Sequence, residues 1–497
     1  MTGATRKQTN RRNVMIAVLT ATFLSAIEGT IVSTAMPKIV SDLGGVESMS
    51  WVVSIYLLTT VISTPIYGKS ADLFGRKKVF TFGSLLFLLG SALSGMSQSM
   101  NQLIVFRAIQ GLGAGALMPV TSTIIGDIFP LEQRAKMQGL LSVIWGIAGV
   151  LGPLTGGMIV DLVSWHWIFY FNLPFGFIAL VILWTSLHED FEKRKHSIDY
   201  GGIMTFTLSM VLLLYAFLQG GSTYPWGSPV MIGLFASSAL LFIAFIWIER
   251  RVPEPMLPLH LFKIRIISLA NASGFLISAI LVAVNFYVPL WIQGVYGKGA
   301  TYSGLMLIPM TLLWTAGSMN VGRVIGKWGA RPIILAGMVM ITAGSIGLST
   351  IGLSSPPWMI ALFAAACGLG FGSVFTSHTV SIQSAVGWEQ RGIAIASNSF
   401  LRILGQVIGI AVFGTYMNSR LASWLEERGI DFKGNDLNEA LNTANTELPE
   451  HLLQPFREAL AFSLNHVFIV LGILAVISLA ISFALPRIRR ENEKAES

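Results

Sequence analysis

Long apolar stretches alternate with short polar and basic segments along almost the whole chain. A helix needs about 20 predominantly apolar residues to cross a bilayer. Runs bounded by charge, proline and glycine clusters meet that need fourteen times. Six lie near residues 14–36, 51–69, 79–98, 102–124, 136–160 and 166–187. Two follow near 200–219 and 229–248, and the last six near 267–290, 303–322, 333–353, 358–380, 394–417 and 464–485. The pattern predicts an all-α integral membrane protein with 14 transmembrane helices. The first run follows Arg6, Lys7, Arg11 and Arg12, exceeds the length of a signal-peptide core and lacks a small-residue cleavage site, so it reads as a retained span.

Composition supports the same class. Of the 497 residues 53% are apolar and 12% charged, against roughly 25% charged in an ordinary soluble domain, which excludes a water-soluble protein. With the N-terminus in the cytoplasm, about 25 of the 33 Lys and Arg fall in cytoplasmic segments, the bias expected of positive-inside topology. Lys38, Lys298, Arg420, Arg428, Lys433 and Arg457 fall outside, and Arg107 and Arg402 fall within spans. The net charge of +8 is thereby explained by basic loops facing anionic lipid, without a nucleic-acid partner. A single cysteine, Cys367, excludes intrachain disulfides and a cysteine metal cage. The seven histidines contain no HExxH pair, so a zinc hydrolase has no support.

The chain repeats itself. Gly111, Gly113 and Gly115 in the fourth span match Gly368, Gly370 and Gly372 in the twelfth at an offset of 257 residues, and Glu132-Gln133-Arg134 matches Glu389-Gln390-Arg391 at the same offset. Gly68 and Gly75 correspond to Gly322 and Gly329 at an offset of 254. Two homologous six-helix halves with an inserted helix pair account for these distances. The expected division is 1–190 for the first bundle, 191–262 for the inserted pair with its linkers, and 263–497 for the second bundle, including a long external loop at 418–462. Paired six-helix halves with a site near the midplane are the plan of many secondary transporters.

A transporter needs an energy source. Gly68-Lys69-Ser70 lacks the glycine that a phosphate-binding loop requires five residues earlier, where Ser63 stands, so ATP is excluded as a directly bound fuel. Coupling then falls to an ion gradient and a titratable group in the membrane, where an ionisable side chain is costly and usually functional. Glu28 lies in the first span about eight residues from its outer end, and Arg107 lies at a comparable depth in the fourth. Alternating exposure could load Glu28 with a proton on one side and release it on the other, with Arg107 tuning or pairing it.

These residues sit in motifs that resemble the major facilitator superfamily, specifically its fourteen-span drug:proton antiporter branch. Gly68-Lys-Ser-Ala-Asp72-Leu-Phe-Gly75-Arg76-Lys77-Lys78 resembles the cytoplasmic loop motif, with Asp127 as a partner of its arginine. Arg107-Ala-Ile-Gln110-Gly111 resembles the fourth-span motif linked to proton transfer. Gly146, Gly149, Gly152, Pro153, Gly156 and Gly157 match the antiporter motif of the fifth span. The stretch Trp165 to Gly176 resembles a signature of the fourteen-span branch, and its aromatic residues fit an interfacial belt with a structural role. Arg402-Ile-Leu-Gly405 in the thirteenth span also looks family-like, with no role assigned to the arginine. One departure is Glu28, where the family usually carries aspartate.

The resemblance implies the major facilitator fold as 6 + 2 + 6 helices and a proton-coupled exporter of amphiphilic drugs or dyes working by alternating access. It implies no enzymatic activity, no cofactor beyond the proton gradient and no metal. The expected setting is the cell membrane with both termini cytoplasmic, and the expected state a monomer whose partners are small amphiphiles, protons and lipid. Export of an endogenous lipid or metabolite on the same fold is the alternative, because fold does not fix cargo. A non-transporting receptor is disfavoured, since it needs neither the antiporter helix nor a buried carboxylate.

Drug pockets are mostly apolar with a few polar groups. Candidate lining residues in the second half are Phe286, Tyr287, Trp291, Met306, Met310, Trp314, Phe371 and Phe375, with Asn285, Gln293, Asn320 and Asn398 as hydrogen-bonding groups. The second half carries no membrane-embedded acid comparable to Glu28, so neutral, zwitterionic or monovalent cationic amphiphiles are expected over divalent cations. Acidic and apolar residues intermix in 418–462, a pattern that predicts amphipathic helices there.

Overall fold

The computed structural model describes residues 9–44, 49–189, 199–220, 224–298, 300–429 and 450–486. Among them the chain forms fifteen α-helices and no strand. These are α1 (Arg11–Leu43), α2 (Met49–Phe74), α3 (Arg76–Gly95), α4 (Met100–Ile128), α5 (Leu131–Leu162), α6 (His166–Tyr170), α7 (Asn172–Ser186), α8 (Tyr200–Gln219) and α9 (Pro229–Glu249), then α10 (Arg265–Leu290), α11 (Ala300–Trp328), α12 (Ala330–Ser349), α13 (Pro357–Ala385), α14 (Arg391–Glu426) and α15 (Glu450–Phe483). A π-helical turn, Trp291–Val295, extends α10.

Among the described residues, thirteen segments are long and apolar enough to cross a membrane by length and composition. The expected fifth span, 136–160, falls within α5, which runs for 32 residues but is not one of the thirteen. Its length of about 48 Å, at 1.5 Å per residue, exceeds the hydrocarbon core of a bilayer.

Helix starts follow local chemistry. The side chains of Ser99, Asp199 and Ser228 accept the amides of Gln102, Gly202 and Met231 at the beginnings of α4, α8 and α9, each satisfying a donor that the helix leaves free. Between α2 and α3 the chain turns at Gly75, whose φ of 93° is open to glycine and strained for other residues.

The chain divides into two compact units, residues 1–268 with 379–400, and residues 269–378 with 401–497. In the first, α4 packs against both α2 and α3. A Cβ on Gly111 would strike the Tyr56 carbonyl and Thr59 of α2, and one on Gly113 would strike Phe87 of α3. The second unit repeats the device: a Cβ on Gly368 would strike the Met310 carbonyl of α11, and one on Gly370 would strike Gly337 and Ile341 of α12. The glycine repeat in the sequence is thus a packing repeat within each unit. The helices α8 and α9 belong to the first unit and are tied to each other by Ser209 and Ser238, each hydroxyl donating to the other residue's carbonyl at 2.8 and 2.9 Å.

Around the expected external loop, α14 continues to Glu426 and α15 begins at Glu450. Leu421, Trp424 and Leu425 form a buried apolar cluster with Ala459, as amphipathic helices would. The acidic residues Asp431, Asp436, Glu439 and Glu447 lie outside the described residues.

Candidate proton site and loop-motif cluster

Glu28 and Arg107 meet in the first unit. Glu28 is 0% and Arg107 1% exposed, and the Arg107 Nη1 donates to Glu28 Oε1 in a short ion pair. Further contacts hold the guanidinium in place. Its Nε donates to the Val52 carbonyl at 3.2 Å, and its Nη1 also donates to Gln110 Oε1 at 2.7 Å. The Tyr56 ring lies 4.2 Å from the guanidinium carbon, within range of a cation–π contact. On the other side of the carboxylate, Asn172 Nδ2 donates to Glu28 Oε2 at 2.8 Å and to the Ser91 hydroxyl at 2.9 Å, and that hydroxyl donates to the Phe169 carbonyl. Helices α1, α2, α3, α4 and the α6–α7 junction therefore all contribute to one buried polar network.

The spacing of Arg107 and Gln110 places both on one face of α4. The pair brings opposite charges together where burial makes an isolated charge expensive. Adding a proton to Glu28 would leave Arg107 as an uncompensated cation held only by neutral acceptors. Removing it restores the pair. Such a network has two electrostatic states separated by one proton.

The sequence pattern marks Glu28 and Arg107 but carries no signal for Asn172, Tyr56 and Ser91. It also predicts an interfacial belt for the aromatic residues from Trp165 onward. Trp165 and Phe169 are instead fully buried, Trp165 donating its indole N–H to Asp42 at 3.0 Å, while Trp167 is exposed. The hydrogen bond from Lys38 holds the Asp42 carboxyl below the usual carboxylate range, which keeps it ionised as an acceptor.

The antiporter-motif helix α5 packs on α1. Thr30 fills the space in front of Gly152, so that any Cβ there would collide with its Oγ1, and the Thr30 hydroxyl reaches the Ala148 carbonyl at 3.4 Å. Gly149 and Gly157 face open space. The helix is continuous through Pro153, whose side chain is not among those described.

The loop motif forms a second charged cluster, also in the first unit. Arg76 is 2% exposed. It donates to Asp72 Oδ1 at 2.9 Å and to the Trp388 carbonyl at 2.6 Å, pairs with Asp127 at 3.0 Å, and lies 3.9 Å over the Trp388 ring. Asp72 in turn accepts the amides of Gly392 at 3.0 Å and Ile393 at 2.8 Å, capping the start of α14 where its free N–H groups favour an anion. Asp127 forms a short ion pair with Arg391, which also donates to the Gly126 carbonyl at 2.9 Å. Glu189, absent from the expected set, caps α3 by accepting the amides of Arg76 and Lys77 at 2.9 and 3.2 Å. A cleft of about 940 Å³ opens beside this cluster, lined in part by Arg11, Arg12, Asp127 and Glu189.

The candidate substrate residues separate. Asn398 is buried in the first unit. In the second, Trp314 packs against Phe371 and Phe375, both at 5.6 Å between ring centroids. Met310, Tyr287 and Trp291 are buried, and Trp291 lies 5.9 Å from Phe468. Phe286 is 57% exposed, and Asn285 donates to the Leu281 carbonyl of its own helix. Gln293 donates to the Ser303 hydroxyl, and Asn320 accepts from Arg323.

The Major Facilitator Superfamily model matches residues 18–410. The chain belongs to this superfamily. Multidrug resistance protein 3 of Bacillus subtilis (strain 168) is 37% identical over 481 residues, covering 95% of this chain and 94% of that protein. Multidrug transporter protein MdtP of the same strain is 38% identical over 426 residues, covering 86% and 79%. Among solved structures, the human organic anion transporter MFSD10 (TETRAN) matches with a TM-score of 0.64 at 14% identity, covering 96% of this chain and 100% of that one. The proton:xylose symporter XylE matches with a TM-score of 0.63 at 12% identity, covering 95% of each chain. These structural likenesses establish the major facilitator fold. The protein is a multi-pass membrane transporter of small molecules and not an enzyme.

Proposed function

We propose that this major facilitator protein is an exporter of amphiphilic drugs and dyes, a drug:proton antiporter of the cell membrane that contributes to antibiotic resistance and has both termini in the cytoplasm. The observation that carries the proposal is the buried Glu28–Arg107 pair with its hydrogen-bonding partners Gln110 and Asn172. A proton arriving from the outside neutralises Glu28 and loosens its hold on Arg107. Its departure to the cytoplasm re-forms the pair. Because the network ties α1 to α4 and α7, the two protonation states favour different helix arrangements, which is what coupling to alternating access requires. The loop-motif cluster of Asp72, Arg76, Asp127 and Arg391 stabilises one of these arrangements, with Gly75 making the turn between α2 and α3 and Gly68, where a Cβ would strike Ala396, letting α2 lie close to the start of α14. Drug export as the direction of transport is supported by the antiporter-motif glycines of α5 and by the two Bacillus relatives, both named for multidrug transport or resistance.

The test is dye flux in proteoliposomes under an imposed pH gradient, with a panel of dyes, antibiotics and lipids as cargo. Wild-type protein is expected to move dyes in exchange for protons, and Glu28→Gln to lose the pH-driven component while still binding dye. Gradient-driven flux of undiminished rate in Glu28→Gln overturns the coupling assignment, and flux of lipid alone identifies the cargo as endogenous.

A further inference from the structure

Arg402 is the charged residue within the spans that the proton site and the loop-motif cluster leave unused. It lies on α14 in the second unit. Its guanidinium carbon stands 3.8 Å from the centroid of the Phe375 ring, and Phe375 is stacked on Phe371 at an interplanar angle of 16°, with Trp314 closing the cluster. The contrast with Arg107 is informative. Arg107 has a carboxylate, a side-chain amide, a backbone carbonyl and an aromatic ring around it. Arg402 has the ring only: its buried Nε has no hydrogen-bond partner, and no carboxylate pairs with it among the described residues. One turn along α13 from Phe375 lies His378, 1% exposed, with both ring nitrogens unpartnered. A cation and a buried imidazole, both without acceptors, are a costly combination inside a membrane protein. Arg402 as a residue is only partly buried, so complete burial does not bar a partner from outside the fold.

The chemistry of that partner follows from the groups waiting for it. A guanidinium presents a planar fork of N–H donors that matches a carboxylate. A neutral imidazole N–H can donate to a remaining lone pair of the same carboxylate. Trp314, Phe371 and Phe375 offer flat apolar faces to a ring system. We propose that Arg402, His378 and this aromatic wall form a binding site in the second unit for amphiphiles that carry a carboxylate on an aromatic body. The inference rests on the exporter reading and sharpens it: zwitterionic aromatic drugs bind better than their esterified, purely cationic counterparts.

Rhodamine 110 and its methyl ester, rhodamine 123, differ only in whether that carboxylate is free. Their affinities for full-length protein in nanodiscs are measured by equilibrium dialysis, with empty nanodiscs subtracted. Wild-type protein is expected to bind the free acid about tenfold more tightly than the ester, the effect of one charge-assisted fork. Arg402→Gln is expected to bring the ratio to about one by weakening the acid alone, with the retained ester affinity showing that the pocket is intact. Should Arg402→Gln not fold, Arg402→Lys, which keeps the charge but loses the fork, is expected to lower the ratio part-way. Equal affinities in wild type, or an unchanged preference in the Arg402 variant that folds, overturn the assignment and leave the exporter reading standing. If neither dye binds, this assignment is overturned, and the exporter reading is decided separately by the gradient-driven flux panel.

Discussion

Glu28 and Arg107 would each be a liability without the other. Removing one partner of a buried ion pair typically costs about 3–5 kcal/mol, because the remaining charge is left uncompensated. The neighbours are therefore as informative as the pair. Asn172→Leu would remove the donor to Glu28 Oε2 and to Ser91, and leaving a buried acceptor unsatisfied costs about 1–3 kcal/mol. The expected result is a lower unfolding temperature and slower gradient-driven flux with dye affinity preserved, read by thermal melts and proteoliposome assays on the same preparation. Asn172→Asp is expected to be worse than Asn172→Leu, since it places a second carboxylate against Glu28. The charged pair was legible in the sequence because a charge in an apolar run has no ordinary explanation. Asn172, Ser91 and Tyr56 were not, because a neutral polar or aromatic residue in a span carries no mark of which helix it will meet.

At the scale of elements, the sequence marked helices by their apolar length and their ends by Ser, Asp and Gly, and α4, α8 and α9 begin at such residues. What it could not mark was which glycine is in contact. Gly152 has Thr30 against it, while Gly149 and Gly157 face open space, although all three belong to one motif. Gly152→Val is therefore expected to force α5 away from α1, at the roughly 1–3 kcal/mol typical of overpacking, and to reduce transport, with Thr30→Gly restoring part of it. Gly149→Ala is expected to leave both stability and flux near wild type, and equal damage from the two would show that the contact is not the cause. The inserted pair offers a parallel case. Glu249, buried at the end of α9, accepts the amides of Met256 at 3.1 Å and Leu257 at 3.0 Å. It thereby pins the chain that follows Arg250 and Arg251. Glu249→Ala would strand both amides, and trypsin is expected to cut after Arg250 or Arg251 several-fold faster, as scored by the yield of the fragment ending there.

For the whole molecule, the glycine repeat was the strongest long-range signal in the sequence, and the reason is geometric. A glycine-faced helix can be held tightly by two neighbours only if the same small positions recur, and each unit uses that arrangement once. The partition of residues 379–400 into the first unit was not legible, because it depends on Asp72 and Asp127 meeting Gly392 and Arg391, contacts that no local pattern announces. The number of crossings is open to a direct argument from parity. Thirteen crossings would put the termini on opposite sides of the membrane, and fourteen put them on one side. The proposed cytoplasmic location of both termini, argued from the positive-inside bias of Arg6, Lys7, Arg487, Arg489 and Arg490, would require α5 to cross as well. The single cysteine makes the test clean, since Cys367 is fully buried and can be changed to Ser or Ala. In that background Thr2→Cys, Lys193→Cys and Ser497→Cys are expected to react with a membrane-impermeant maleimide only after cells are opened, and Arg428→Cys to react in intact cells. Labelling of Ser497→Cys, but not Thr2→Cys, in intact cells would leave an odd number of crossings, remove α5 from the membrane, and with it the packing partner of the helix that carries Glu28.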